Sequence, residues 1–297
     1  MVSSASPKTI AVFALTVAFF GSSFPAIKAA EQSFSPVSIV FLRAVLATIA
    51  LAVLAAALGV SLRMPMRDLA ISAAIGQLGI SLFQLILNSA IALTSVGVAS
   101  TLVNTAPLIS LGLSALLLRE RIPLLRWVGV FISIGGIYLL GTSTGVTDSR
   151  GVVLLLIAAL SLGTYSVLLK PLLQRQNPLA VTFHGTWPGI FLFAWAIPSV
   201  SRESPDATAA AWLGVAVLVI VVTCGGYVLL ARLLQLLPVS RVVLYYYLVP
   251  PVAIFYSMVL FRELPSTREV LGVIVVIAGV ALAISARVPQ AKSPDAM

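Results

Sequence analysis

Only nine acidic residues occur in this 297-residue chain: Glu31, Asp68, Glu120, Asp148, Glu203, Asp206, Glu263, Glu269 and Asp295. Each falls at the end of an apolar run or in a polar break. Carriers driven by protons or sodium commonly bury a carboxylate at membrane depth. Its absence argues against carboxylate-based coupling, although backbone carbonyls alone can hold sodium. The one cysteine, Cys224, sits inside an apolar run, which excludes a disulfide framework and a cysteine-based metal cluster. No lysine lies in the middle of an apolar run, so phosphate esters lack the cations they would need there. No GxxxxGK[ST], HExxH or Ser/His/Asp constellation appears, which excludes ATP hydrolysis and metalloprotease chemistry on this chain. The expectation is therefore no catalytic residue, no metal and no cofactor.

What remains is hydrocarbon. The chain is 60% apolar and 9% charged, with a mean hydropathy of +1.11, a balance that marks a polytopic membrane protein. A span needs ~20 apolar residues, and ten such runs are legible: roughly 8–28, 36–59, 68–91, 97–118, 125–142, 151–171, 178–199, 210–232, 240–261 and 269–286. The fold class expected is an all-α integral membrane protein of ten transmembrane helices. The longest polar breaks, 143–150 and 199–209, are too short for a soluble domain. Lys8 followed by an apolar stretch resembles a signal peptide. The stretch runs on to Lys28 and aligns with the sixth run, so an uncleaved first span is expected. The net charge of +9 is explained by topology. With a cytoplasmic N-terminus, 12 Lys and Arg fall inside, 5 fall outside, and Arg43 lies within the membrane. That bias predicts a bacterial-type inner (plasma) membrane protein with both termini cytoplasmic and no nucleic-acid partner.

The ten runs are five runs twice. Pro107 precedes Glu120 by 13 residues, as Pro250 precedes Glu263. Arg119-Glu120 matches Arg262-Glu263, Gly129 matches Gly272, and Gly136 matches Gly279, all at an offset of 143. Gly21 to Lys28 is spaced like Gly163 to Lys170. A duplicated unit with an odd number of spans inserts upside down the second time. Inverted repeats around a midplane site are the architecture of secondary transporters. The units expected are 1–142 and 143–297, two inverted five-helix repeats around a central cavity.

The start FGSSFPAIK, the Arg just inside the second span and the two P…RE…G…G tails resemble the drug/metabolite transporter superfamily, EamA type, over residues 8 to 286. Within it the chain looks most like exporters of amino acids and related metabolites, of which YddG-like proteins are one branch. The family's usual Trp in the first motif is Phe20 here. The resemblance implies a ten-helix basket in which spans 1–4 and 6–9 enclose the cavity, with spans 5 and 10 packed behind. It also implies alternating-access export of small amphipathic metabolites, hydrophobic or aromatic amino acids above all. A drug exporter coupled to protons through His184 and a nonselective channel are the alternatives.

Candidate site residues are those that bring polarity to membrane depth. Arg43 lies seven residues beyond Pro36 and His184 six beyond Pro178, so the repeat puts them in nearly equivalent places. A cation there costs roughly 2.5–3.5 kcal/mol and must face a cavity or a partner. Arg43 either pairs with a substrate carboxylate or snorkels to the outer interface. His184 either touches substrate or a proton, or bonds a neighbouring helix. Pro107, Pro250 and Pro251 are hinge candidates, because each frees a carbonyl one turn earlier. Thr101, Asn104 and Thr105 flank the first kink; Tyr245, Tyr246 and Tyr247 flank the second, and at most two of these tyrosines can face one cavity. Ser22, Ser23, Tyr165, Trp187 and Tyr227 join the cavity set. Gln77 and Gln84 are seven apart, hence on one face, with Asn88 four further on. The Arg-Glu pairs read as salt bridges that fix turns, and the glycines of spans 5 and 10 as close helix packing, internally or at a dimer face. The partners expected are a small-molecule substrate and the lipid bilayer, for a monomer or homodimer.

Overall fold

A backbone in lipid finds no water, so apolar runs of this length close their hydrogen bonds internally as helices. The structure, a computed structural model, describes residues 7–91, 93, 102–141, 148–261 and 266–286, and every regular element among them is helical. Thr101, Arg262, Glu263, Arg287 and Lys292 lie outside the described residues. The first run breaks at Ser22 into α1 (Pro7–Gly21) and α2 (Ser23–Ala30), and α3 (Pro36–Ala57) comes next. Then α4 (Met66–Gly76) passes through a π segment, Gln77–Leu82, into α5 (Phe83–Ile91). Next come α6 (Ala106–Leu117), α7 (Leu124–Gly141) and α8 (Ser149–Leu173). A further run is divided among α9 (Pro178–Thr186), α10 (Pro188–Leu192) and α11 (Ile197–Glu203). After it, α12 (Ala209–Val217) passes through a second π segment, Leu218–Tyr227, into α13 (Val228–Leu236). A short α14 (Val239–Val242) and a 3₁₀ stretch, Val243–Leu248, lead into α15 (Val249–Phe261), and α16 (Thr267–Ser285) closes the chain.

Among the described residues six helices are long and apolar enough to cross a membrane. A bent pair, Pro178–Leu192 and Ala194–Glu203 at 54°, is apolar enough as well, and three shorter apolar helices accompany them. The bend falls at Phe193, which leaves helical geometry at φ −113° and ψ 18° before a 3₁₀ turn at Ala194–Ala196. Prolines also open helices cleanly. Pro36 and Pro178 each occupy the first turn after an extended residue, and the Asn177 side chain accepts from Leu179 N.

The two prolines 143 apart both sit where a helix restarts. Pro107 comes after a turn at Asn104–Thr105, and Pro250 after the 3₁₀ stretch. Thr105 closes the first break by donating its hydroxyl to Leu102 O at 2.7 Å and accepting Leu108 N and Ile109 N on its carbonyl.

The first five helices pack on later ones throughout: α2 on α12, α4 on α9, α1 on α15, and α5 and α6 on α8. The main core runs between them, around Phe13, Ile39, Leu172, Val222 and Leu230. A satellite core lies where α7 meets α16, with Leu111, Ile137 and Tyr247 packed on it. Contact there is backbone to backbone. A Cβ on Gly129 would lie 2.5 Å from Gly279 O, and one on Gly136 would lie 2.9 Å from Gly272 O. Because Gly129 corresponds to Gly272 and Gly136 to Gly279, the two contacts are one contact seen from both ends.

The Arg-Glu turn is built differently from the sequence expectation. Glu120 does not brace Arg119. Its carboxylate accepts Val239 N at 2.8 Å and Ser240 N at 2.9 Å, satisfying the first amides of α14. Arg119 adopts φ 54° and stays exposed. A carboxylate is better served by two orphan amides than by an exposed, screened cation.

Candidate functional site

Two cavities meet at one side chain. The larger encloses about 720 Å³ of empty space, its open mouth included. Its walls come from α1 and α2, α5, the Pro107 break, α8, the second π segment and the Tyr246 turn. Most of the wall is apolar, with Phe24, Phe83 and Leu87 prominent. The polar groups are few: Ser23, Gln84, Asn104, Tyr227 and Tyr246. Phe20 stands edge-on to Tyr227, with centroids 5.3 Å apart at 84°, and to Tyr246 at 6.0 Å and 64°. Such edge-to-face contacts hold a rigid aromatic wall.

The two π segments explain the polar contacts. Widening a turn to i→i+5 hydrogen bonding re-aims carbonyls and frees them for other donors, which is why π turns recur at functional sites. In the first, Leu78 O accepts the Ser161 hydroxyl at 2.6 Å, and Gly79 O accepts the Tyr227 hydroxyl at 2.8 Å. Gly79 is required here, since any Cβ would run into the Tyr165 ring. Tyr227 in turn accepts from Gln84 Nε2 at 3.4 Å. In the second, Thr223 donates to Leu218 O at 2.8 Å, five residues back, and accepts Arg43 Nη2 at 2.9 Å.

Arg43 therefore turns inward. It is buried and lines a second, narrow cavity of about 10 Å³ with Ser81, Gln84, Thr186 and Thr223. Gln84 borders both cavities. Arg43 Nη1 and Gln84 Oε1 are buried without a hydrogen-bond partner.

Polar contacts join the elements beyond the cavity. Leu162 lines the cavity, and Lys170 lies eight residues further along α8, ~12 Å by helical rise. Lys170 Nζ donates to Leu234 O at 2.5 Å and Leu237 O at 2.8 Å, occupying the last carbonyls of α13. Arg175 grips Asp68 in a fork of 2.7 and 3.1 Å, and Gln176 adds a third donor at 2.6 Å.

Known proteins resemble this chain. The sequence profile of the EamA-like transporter family matches residues 7–142 and again 149–285. The chain belongs to the EamA-like transporter family. Its duplicated match makes this EamA protein a transporter and a multi-pass membrane protein. A probable terminal-alkyne amino-acid exporter of Streptantibioticus cattleyicolor is 32% identical over 278 residues, covering 93% of each chain. The uncharacterized transporter YdfC of Bacillus subtilis is 27% identical, over 90% of this chain and 87% of its own length. An uncharacterized transporter of Archaeoglobus fulgidus is 29% identical over 93% of this chain and 98% of its own. A crystal structure with 19% identity superposes at a TM-score of 0.76, covering 94% of this chain and 97% of that one, which speaks for the fold.

Several residues singled out in the EamA sequence lie elsewhere. His184 borders a groove beside the loop after α3 instead of the central cavity. Its Nδ1 accepts from Trp187 Nε1 at 3.1 Å, which leaves Nε2–H to donate to Leu62 O at 2.8 Å. The loop supplies a carbonyl that no repeat comparison could reveal. Gln77 and Gln84 do not share a face, because the π segment between them adds a residue to the turn and rotates the rest of the helix by ~100°. Gln77 instead donates to Gly185 O at 2.9 Å. Ser22 bonds Phe19 O at the break between α1 and α2. Tyr165 stands behind Tyr227 at 6.2 Å. Asn88 is buried with both amide atoms unpartnered, outside the cavity wall.

The three tyrosines diverge because a 3₁₀ turn has three residues. Tyr245 stacks on Phe13 at 3.5 Å, Tyr246 lines the cavity, and Tyr247 enters the satellite core. The aromatic and aliphatic wall escaped sequence reasoning, since lipid-facing and cavity-facing apolar residues look alike in a membrane span. Only Phe20, at the family's Trp position, carried a signal.

Proposed function

We propose that this EamA transporter exports small amphipathic metabolites, hydrophobic or aromatic amino acids foremost, from the cytoplasm by facilitative alternating access. The observation that carries the reading is the central cavity: apolar and aromatic walls, a handful of polar atoms, and helix breaks on two sides. The relative named for amino-acid export supports the substrate class and the direction.

The architecture behind this reading is two inverted five-helix repeats, 1–142 and 143–297. Counting the bent pair once and the three shorter apolar helices as crossings supports ten spans. The reciprocal glycine contacts of α7 and α16 support a two-fold relation. So does the bond between Gln84 and Tyr227, which are 143 residues apart, the offset of the prolines. Equivalent residues meet only at a symmetry axis. Breaks before Pro107 and Pro250 then serve as paired hinges.

With the excess of Lys and Arg on the cytoplasmic side, the Lys170 and Asp68–Arg175 contacts close the inner end and the cavity faces outward. Facilitative movement is supported by the lack of any acidic residue among the described residues that line the cavity. The test is counterflow of labelled amino acids into proteoliposomes, with and without a pH gradient. Saturable counterflow of one amino-acid class, indifferent to the gradient, is the expected result. Flux that does not saturate would replace the carrier by a channel, and gradient-dependent uptake would replace facilitation by proton coupling.

A further inference from the structure

We propose that the small Arg43 cavity is a carboxylate subsite beside the aromatic cavity, so that the solute is recognised by its carboxylate and apolar tail, not by its amine. This rests on the small-metabolite reading above and narrows it to a chemical class. Three observations carry it.

First, Arg43 is an unbalanced charge. It is 5% exposed, and its one bond to another side chain goes to a neutral hydroxyl, Thr223. No Asp or Glu among the described residues lines either cavity. A buried guanidinium without a counter-charge is costly, and an anionic ligand relieves that strain on binding.

Second, the free valences point to a ligand group of this kind. Arg43 Nη1 has no partner, and the cavity it borders adds the Ser81 hydroxyl, while those of Thr186 and Thr223 already donate to Thr182 O and Leu218 O. A carboxylate oxygen accepts N–H and O–H donors, and the free guanidinium Nη1 with the Ser81 hydroxyl supplies them. An amine would bring a second cation beside the first.

Third, the subsite and the larger cavity share one wall residue. Gln84 borders both, and its side chain is fixed on Tyr227 by its amide nitrogen while Oε1 remains unpartnered. A solute with its carboxylate at Arg43 reaches past Gln84 with its tail against Phe20 and Phe83. Its amine, where it has one, meets the neutral Gln84 Oε1. The expected order of affinity is carboxylate at least equal to zwitterion, and both well above amine.

The test uses three probes that share one aromatic tail: 3-phenylpropanoate, L-phenylalanine and 2-phenylethylamine. Binding is read as thermal stabilisation of the purified full-length protein in detergent, titrated with each probe. The two carboxylates should bind about ten- to a hundredfold tighter than the amine, the range of a charge-assisted hydrogen bond. Arg43→Gln should erase that preference. Gln84→Glu keeps Arg43 and its Thr223 bond but supplies the missing counter-charge, so it should weaken 3-phenylpropanoate about tenfold or more and strengthen the amine. This second variant answers the question if Arg43→Gln fails to fold. Equal binding of amine and carboxylates, no binding of 3-phenylpropanoate, or an unchanged preference in a folded variant overturns the proposal. Exchange of labelled L-phenylalanine in proteoliposomes is measured in parallel. Exchange without carboxylate preference removes the subsite and leaves the transport reading. Carboxylate preference without exchange of any probe keeps the subsite and removes amino-acid transport.

Discussion

Asp68 is the residue whose loss should shift the transporter between its two open states. Its carboxylate takes Arg175 Nε and Nη2 at 3.1 and 2.7 Å and Gln176 Nε2 at 2.6 Å, joining the start of α4 to the turn after α8. On the alternating-access proposal these bonds form while the inner end is closed, so they favour the closed form. A bidentate charged pair is worth about 1.5–3 kcal/mol per charged hydrogen bond when sheltered. The Arg175 side chain is 49% exposed against 7% for Asp68, so solvent screening reduces that to about 1–2 kcal/mol in total. Asp68→Asn keeps the shape and one acceptor but loses the charge. The inner-open population should rise by about five- to thirtyfold, since 1.4 kcal/mol is a factor of ten. The assay is alkylation of a Leu173→Cys reporter in a Cys224→Ser background. Leu173 is fully buried at the inner end of α8. With a membrane-impermeant maleimide added on the cytoplasmic face, the labelling rate tracks the open population. An unchanged rate in a folded Asp68→Asn variant would refute the latch.

Three further outcomes are expected. Gly129→Leu should lower thermal stability in detergent by an amount equivalent to about 1–3 kcal/mol, because its side chain meets the Gly279 backbone, while Gly135→Leu, with nothing within 4 Å of its Cβ, should leave stability unchanged. His184→Ala should destabilise the protein by about 1–3 kcal/mol, by orphaning Leu62 O and the Trp187 indole, yet leave counterflow within about twofold and insensitive to a pH gradient; a gradient effect lost in the variant would make His184 a proton site. Pro250→Ala should slow exchange without changing substrate affinity, because the new N–H lets α15 extend backward over the 3₁₀ stretch; unchanged turnover, measured by counterflow at saturating substrate, would remove the hinge.

The helices were legible because each is a long apolar run bounded by proline, glycine or charge, and lipid leaves such a run one way to satisfy its backbone. The kinks were legible for the same reason, since Pro107 and Pro250 lack an N–H wherever they sit. Gly129 and Gly279 announced close packing by being small at helical spacing. The π segments were not legible. Whether Gly79 O bonds one turn or a wider turn ahead depends on a hydroxyl brought by Tyr227 from 148 residues away. That one slip moved Gln77 onto α9 and left Gln84 at the junction of the cavities. The fate of His184 was hidden in the same way, because its acceptor is a loop carbonyl 122 residues distant.

The scarcity of acids has a mechanical consequence. In a carrier with a midplane carboxylate, the empty site must be neutralised by a proton or cation before it can reorient, which ties movement to a gradient. Here the unbalanced charge is Arg43, and it is the solute that balances it. Reorientation of the empty protein then carries an uncompensated guanidinium through the closed, dry intermediate, whereas the loaded protein carries a neutral pair. Loaded cycling should therefore outrun empty return, and the protein should exchange one carboxylate for another faster than it drives net efflux. Exchange and net flux of 3-phenylpropanoate from the same proteoliposomes compare the two directly. If the subsite balances Arg43 by about the 1.5–3 kcal/mol of a charged hydrogen bond, exchange should exceed net efflux by at least about tenfold. Equal rates would mean that Arg43 is balanced by the protein itself, through water or a rearranged Gln84, in both states.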